Sequence, residues 1–144
     1  MLSSTGIRFG RAMLMVRGSE RVAQSVNFYQ NALGMHVIRH TDDWAELACP
    51  VAIPATSSDT SSSPSNHSSA NFRLSIKSVE SEAQLSTGYS PILTFDVDDM
   101  DGTVARCAQM GAHLDGPIQY PAHGKVATLR APDGHMIGLY EPAI

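Results

Sequence analysis

The chain has 144 residues, of which 42% are apolar and 17% are charged, and its formal net charge at pH 7 is −4. This length suits one domain with a buried core, and the composition excludes a fibrous or wholly disordered protein. The ten basic residues are scattered, which disfavours nucleic acid and membranes as partners. The sequence shows no apolar run long enough to cross a bilayer, so we expect a cytoplasmic protein.

A strand, a helix and three further strands are predicted in the first half of the chain. The apolar run AMLMV at 12–16 predicts a buried strand. A helix should follow, with Ser19 as its N-cap, and Gly34 should end it in a left-handed conformation. The segments HVIRH and WAELAC then predict two strands joined by a turn at 41–43, and alternation over 71–77 predicts a fourth strand.

The second half repeats this order. Residues 92–97 predict a strand, and Asp98 or Asp99 should cap the helix that follows. The buried face of that helix should carry Met100, Val104 and Cys107. Further strands are predicted at 113–119, 125–130 and 136–140, with a turn at 132–134. The order of strand, helix, glycine and further strands therefore occurs twice.

A serine-rich stretch at 56–70 separates the two halves and is predicted to be a flexible insertion loop, because its composition cannot supply a core. The expected organisation is a single domain over 1–144. Its first βαβββ module covers 11–77, a linker with a short helix covers 78–90, and its second module covers 91–142.

Two segments carry a family resemblance: VNFYQNALGMHVI in the first half and APDGHMIGLYEP in the second. Together with the repeated βαβββ order, they resemble the vicinal-oxygen-chelate superfamily of glyoxalases, bleomycin-resistance proteins and extradiol dioxygenases. The resemblance implies an α+β fold in which two tandem modules form a curved, mostly antiparallel eight-stranded sheet, a cup with helices outside. It does not by itself determine the activity.

Strand alternation assigns side chains to the two faces of the implied sheet. The apolar sets should lie under the helices: Leu14, Val16, Phe72, Leu74, Ile76, Leu93, Phe95, Val97, Ile137 and Leu139. The opposite face, here called the cup face, should bind a ligand through Arg11, Met13, Met15, Trp44, Glu46, Arg73, Ser75, Thr94, Asp96, Met136 and Tyr140. These residues make that face more polar than a core requires.

The resemblance also indicates where enzymes of the superfamily hold a divalent metal. Those positions fall on Arg11, Ile92 and Gly138, and near Arg73 or Ser75. The Arg11 guanidinium, the Ile92 hydrocarbon side chain and Gly138 offer no ligand atoms to a metal. The four positions together therefore supply at most one weak ligand, the Ser75 hydroxyl. We therefore predict no metal and no cofactor.

The histidines and cysteines leave two alternatives. His36 and His40 share parity on the predicted strand, so their side chains should lie on one face. They are either ordinary surface residues or two ligands of a metal site unrelated to that of the superfamily. Cys49 and Cys107 form no CxxC pair and are expected to be buried, reduced thiols, with a nucleophilic cysteine as the alternative.

The first functional hypothesis is a metal-independent protein that binds or sequesters a small molecule in its cup. Arg11 and Arg73 would hold an anionic group in two hydrogen bonds, and Trp44, Tyr140 and the methionines would contact an aromatic one. In the opposing interpretation, both arginines pair with Glu46 and Asp96 and fill the interior without a ligand.

The second hypothesis is an enzyme of the same superfamily, a lyase, isomerase or dioxygenase. Without a metal it would require general acid or base residues. The candidates in suitable positions are Glu46, Asp96, His123 and Tyr140. A homodimer is compatible with either hypothesis.

Overall fold

The computed structural model describes residues 6, 8–52, 71–85, 88 and 91–143. The first half contains β1 (Ala12–Arg17), α1 (Ser19–Asn31), β2 (His36–His40), β3 (Trp44–Pro50) and β4 (Asn71–Val79). The second contains β5 (Leu93–Asp96), α2 (Met100–Gln109), β6 (His113–Leu114), β7 (Gly124–Arg130) and β8 (Met136–Pro142). A single 3-10 turn, Glu82–Gln84, lies between them. The α+β class and the repeated βαβββ order are confirmed, whereas the predicted serine-rich loop lies outside the described residues.

Hydrogen bonding divides the eight strands into two four-stranded sheets of the same topology, β1-β4-β3-β2 and β5-β8-β7-β6. In each sheet the first strand of the module pairs in parallel with the last, and the other two pairs are antiparallel. The sheets are therefore mostly antiparallel, as predicted. Because β1 and β5 each pair on one side only in the described structure, the two sheets do not close on each other.

The helix ends follow the sequence signals with one exception. Gly18 takes the N-cap position of α1, and no side chain caps this helix, so the N-cap prediction for Ser19 is wrong. Ser19 is instead the first helical residue, where its hydroxyl cannot act as the preceding cap. Gly34 adopts the predicted positive φ of 74°, and Asp99 caps α2 by accepting a hydrogen bond from Gly102 N at 3.1 Å.

One buried cluster draws residues from both halves of the chain. Every residue predicted to lie under the helices belongs to this cluster or packs against it. Five of them are buried: Val16, Leu74, Ile76, Ile137 and Leu139. The other five are only partly buried: Leu14, Phe72, Leu93, Phe95 and Val97. On α2, Met100 and Cys107 are buried as predicted, but Thr103 takes the third buried position and Val104 is only partly covered.

The strand predicted at 113–119 is wrong in length, because β6 contains only His113–Leu114. Gly116, with a φ of 89°, and Pro117 interrupt the extended backbone. Gln119 then rejoins β7 through an isolated bridge to Val126.

A β-bulge in β2 overturns the proposed His36/His40 clamp. His36 pairs with Ala48 and His40 pairs with Ala45, with a register shift between Val37 and Arg39. Because Ala45 and Ala48 differ in parity on β3, the two histidine side chains lie on opposite faces of the sheet.

Neither described helix is long and apolar enough to cross a membrane.

Candidate functional site

Glu46 and Arg73 form an ion pair on the cup face of the first sheet. The Arg73 Nη1 atom donates to Glu46 Oε2 at 3.2 Å. The Glu46 side chain is 6% exposed and that of Arg73 is 40% exposed. A guanidinium carries five N–H donors, so the single contact to Glu46 leaves most of them directed elsewhere. The carboxylate therefore anchors one edge of a half-exposed cation.

Ser75 lies beside this pair, directly across from Glu46 on the neighbouring strand. Its side chain is fully buried, and its hydroxyl has no hydrogen-bond partner among the described residues. A buried hydroxyl without a partner costs about 1–3 kcal/mol, and most buried polar atoms in native proteins are satisfied. Glu46, Arg73 and Ser75 are together called the polar cluster below.

Further predicted site residues lie next to the polar cluster. Met13 pairs with Ser75 on the other side of β4. Arg11 is exposed and directly precedes β1, whose first pair joins Ala12 to Leu74, so Arg11 is next in register to Arg73. Within the described residues Arg11 makes no ion pair.

Trp44 and Met15 occupy the next row, since both pair with Lys77. The guanidinium carbon of Arg39 lies 5.7 Å from the centroid of the Trp44 ring, a cation–π contact. Sequence alternation missed Arg39, because the bulge in β2 brings it opposite Glu46.

On the second sheet, Thr94 lies directly against Gly138. The two residues pair across β5 and β8, and a Cβ atom added to Gly138 would lie 2.8 Å from Thr94 Oγ1 and 3.6 Å from the Ile92 Cγ2 methyl. A side chain at position 138 would therefore require the threonine hydroxyl to move. Thr128 of β7 completes this row and was also missed, because only two strands of the second half were assigned a cup face.

The remaining predicted residues fall into two groups. Asp96 pairs with Tyr140, whose hydroxyl donates to the His123 carbonyl oxygen at 2.9 Å. Met13, Met15 and Met136 line one cavity of about 280 Å³ between β1 and the second sheet. The structure thus gathers the eleven predicted residues into several small groups.

The two opposing interpretations of the arginines are each met in part. Arg73 pairs with Glu46, as the filled interior requires. Arg11 and Asp96 make no ion pair in the described part of the chain, which leaves one cation and one carboxylate for other contacts. No group of three or more His, Cys, Asp or Glu side chains within the described ranges could hold a metal ion.

The sequence matches the family model described as the Glyoxalase/Bleomycin resistance protein/Dioxygenase superfamily over residues 10–139. The chain belongs to this superfamily. No curated protein matches it significantly.

Several solved structures share the fold of this chain at low sequence identity. A glyoxalase/bleomycin resistance protein/dioxygenase family enzyme from Burkholderia phytofirmans PsJN is 15% identical, with a TM-score of 0.64, covering 92% of this chain and 96% of its own. The fosfomycin resistance protein FosX from Mesorhizobium loti is 16% identical, with a TM-score of 0.61 and coverages of 95% and 93%. A protein of unknown function from Agrobacterium tumefaciens is 20% identical, with a TM-score of 0.62 and coverages of 96%.

The cysteines of this superfamily member are both free thiols with little nucleophilic character. Cys107 is buried, and burial raises its pKa to about 11 despite the opposing effect of Arg106. Cys49 is only half-buried, which corrects the prediction of a buried thiol, and burial raises its pKa as well. Because the thiolate is the reactive form, these shifts disfavour a nucleophilic cysteine.

Proposed function

We propose that this chain binds a small molecule with an anionic or aromatic group on its cup face, without a divalent metal. The polar cluster is the observation that carries the proposal. It combines a half-exposed guanidinium held by a buried carboxylate with a buried hydroxyl that has no partner. Buried unsatisfied hydroxyls are unusual, and a ligand group within reach of Ser75 would supply the missing hydrogen bond.

The metal-free part of the proposal rests on the donor chemistry at the positions implied by the family resemblance. Arg11 is a permanent cation, Ile92 has no donor atom, and Gly138 has no side chain. The nearest polar atom to position 138 is the Thr94 hydroxyl, a weak ligand for a divalent ion. These residues do not fit a divalent metal, and the positive charge at this site comes from arginine.

The recognition step follows from how Arg73 is held. Glu46 fixes the guanidinium through one hydrogen bond, which reduces the entropy lost when the remaining N–H groups bind an oxyanion. Arg11, next in register, adds a second cation for the same anion. A carboxylate matches a guanidinium in two parallel bonds, and Trp44 with Met13 supplies adjacent apolar contact.

The alternative of a lyase, isomerase or dioxygenase requires a free acid or base on this face. Glu46 is the buried carboxylate there and is engaged in an ion pair with Arg73, whereas Asp96 is exposed and lies outside the polar cluster. The relatives carry names that cover both resistance proteins and enzymes, and their low identity to this chain shows the fold alone. The binding function is therefore the one that the polar cluster favours.

Titration with benzoate tests the proposal directly. Trp44 is the single tryptophan of the chain and lies on the cup face, so its fluorescence reports binding there. Wild-type protein should show a saturable change that EDTA does not alter. Arg73→Gln should weaken binding by about tenfold or more, since a charge-assisted hydrogen bond is worth about 1.5–3 kcal/mol. Arg21→Gln, an exposed arginine on α1, is the matched control and should bind as the wild type does.

The metal-free claim has its own test in the double variant Arg11→Gln with Gly138→Glu. Thr94→Ser would accompany it, because removing the threonine methyl eases rotation of the hydroxyl away from the new side chain. Wild-type protein should retain no stoichiometric zinc or nickel after purification, and the variant should gain measurable affinity. Metal retained by the wild type would overturn this part of the proposal while leaving the benzoate test intact.

A cytoplasmic location and a homodimer complete the proposal. The location is inferred from the sequence, in which we found no apolar run long enough to cross a bilayer, and the dimer from the resemblance to the superfamily. Light scattering on purified protein measures the oligomeric state, and a monomer at micromolar concentration would contradict the dimer.

A further inference from the structure

A second cavity lies between the two halves of the chain and includes none of the residues of the polar cluster. Its volume of about 780 Å³ falls in the range of small-molecule sites. One wall is the end of α1, the end of β3 and the start of β4. The other wall is β5 and the first turns of α2. We call this cavity the inter-module cleft.

Aromatic and aliphatic side chains line the inter-module cleft. Phe72 and Phe95 meet edge to face across it, with ring centroids 6.4 Å apart. Leu93 and Val97 lie beside them. Alternation predicts all four as core residues, yet all four are only partly buried. Burial of apolar surface is favourable, so an apolar occupant would cover side-chain surface that the described residues leave exposed.

The charges around the cleft are predominantly negative. Asp99 caps α2, and Glu141 Oε1 accepts from the Met100 backbone N–H at 2.7 Å, so both carboxylates are engaged at the start of that helix. Asp96 and Asp98 also lie on the lining, are exposed, and make no ion pair or side-chain hydrogen bond in the described ranges. Two carboxylates are therefore available to a ligand.

The end of α1 adds to this negative field. Leu33 and Gly34 line the cleft just beyond the helix C-terminus, where the helix dipole places negative partial charge. The last turn of α1 contains no basic residue. Arg106 is the one cation among the described residues of the lining. Its Nε–H group already donates a hydrogen bond to the Ala32 carbonyl oxygen at 3.3 Å.

We infer that the inter-module cleft binds a small apolar molecule with one cationic group, an aryl- or alkylammonium. The apolar part lies against the sides of the Phe72 and Phe95 rings that border the cleft, and the ammonium lies toward Asp96 and Asp98. This site differs from the proposed anion site, because the two have opposite charge and the cleft includes no residue of the polar cluster, although Thr94 and Asp96 of the cup face also line it.

Cys49 provides a readout inside the cleft. It lies on the lining and is half-buried, whereas Cys107 is buried and absent from the lining. At pH 9, where a larger fraction of the Cys49 thiol is ionised, iodoacetamide should therefore alkylate Cys49 and spare Cys107, which mass spectrometry of peptides can resolve. With 3-phenylpropylammonium at ten times its dissociation constant, alkylation of Cys49 should slow by about tenfold. The matched anion 3-phenylpropanoate should give no protection at the same concentration.

Charge variants distinguish the effect of the carboxylates in the cleft from the effect of the protein's net charge. Asp96→Asn with Asp98→Asn should weaken protection by the ammonium about threefold to tenfold, as expected for two exposed carboxylates. Asp42→Asn with Asp101→Asn changes the net charge equally at exposed residues outside the lining, and should leave protection unchanged.

Four results would overturn the inference. Resistance of Cys49 to alkylation in the free protein would mean that the cleft is covered. Lack of protection by the ammonium would mean that it does not bind. Equal protection by both phenylpropyl compounds would remove the preference for a cation. An equal effect of the two double variants would assign that preference to the whole molecule.

Discussion

Arg73 and Glu46 differ in burial, so their removal should have unequal consequences. Arg73→Gln leaves the buried Glu46 side chain, 6% exposed, without its cation, and we expect unfolding in urea to show a loss of about 1–3 kcal/mol. Glu46→Gln keeps an acceptor for Arg73, whose side chain is 40% exposed and reaches water, and should cost under about 1 kcal/mol.

The exposed pair Arg17–Glu82 is a control for this comparison. Its side chains are 52% and 73% exposed, so Arg17→Gln should change stability by less than about 0.5 kcal/mol. If Arg73→Gln were as mild as Arg17→Gln, the buried carboxylate would not depend on its arginine.

Cys107 gives the protein a specific alkaline sensitivity. Its pKa is about 11 in the folded chain against an ordinary value of 9.0, so the unfolded chain loses the proton first as the pH rises. The stabilising effect is fully present below pH 9 and is lost between pH 9 and 11. From pH 8 to pH 10 the loss is on the order of 1 kcal/mol. Cys107→Ala should remove that part of the pH dependence, although its smaller side chain lowers stability at every pH.

Urea unfolding at pH 8 and pH 10 measures this difference. Other groups, including the buried Tyr29, whose pKa burial also raises, contribute equally to both proteins. The pH dependence of the variant should therefore be shallower than that of the wild type. Parallel dependences would show that Cys107 does not carry this effect.

The alternation of side chains in the sequence identified the faces of the strands but not the contacts that the side chains make there. Parity placed Glu46, Arg73 and Ser75 on one face, and β3 and β4 pair accordingly. It could not show that the Ser75 hydroxyl has no hydrogen-bond partner in the described structure, because that depends on side-chain rotamers and on the neighbouring strands. Arg39 was missed since a bulge changes parity without a distinct sequence signal.

The elements follow local sequence signals wherever those signals have a local cause. The chain leaves α1 at Gly34 through a positive φ, which glycine adopts more easily than residues with a side chain. Asp99 caps α2 because its carboxylate accepts a hydrogen bond from the Gly102 N–H group. β6 is shorter than predicted, since alternation over 113–119 carries no information about how the backbone turns at Gly116.

Substitutions at Gly34 test the local cause at the end of α1. A Cβ atom there meets no heavy atom within 4 Å, so only the φ of 74° opposes a side chain. Gly34→Ala should cost about 1–2 kcal/mol. Gly34→Asn should cost less, because asparagine tolerates the left-handed region better than alanine does. Thermal and urea unfolding measure both variants, and equal costs would mean that the left-handed backbone conformation is not the cause of the loss.

Polar contacts join the turn between β7 and β8 to α1 and β1 in the first half of the chain. Asp133 accepts from the Ser25 hydroxyl at 2.8 Å and from the His135 backbone N–H at 3.0 Å. The His135 Nε2 atom lies 2.9 Å from the Met15 carbonyl oxygen, within hydrogen-bond distance. Burial and then the nearby Asp133 carboxylate raise the pKa of Tyr29 well above its usual value. These contacts, with the shared core, are the basis for expecting one cooperative domain.

Ser25→Ala tests that expectation. It removes a buried donor from the Asp133 carboxylate, and we expect a loss of about 1.5–3 kcal/mol. If residues 1–144 unfold as one domain, the loss should appear in both sheets, so the slowest-exchanging amides of β4 and β8 should exchange faster by the same factor, at least about tenfold. Ser19→Ala, at the exposed start of α1, should change neither set. Acceleration confined to one sheet would mean that the two modules unfold separately, because a contact between them stabilises both only when their unfolding is coupled.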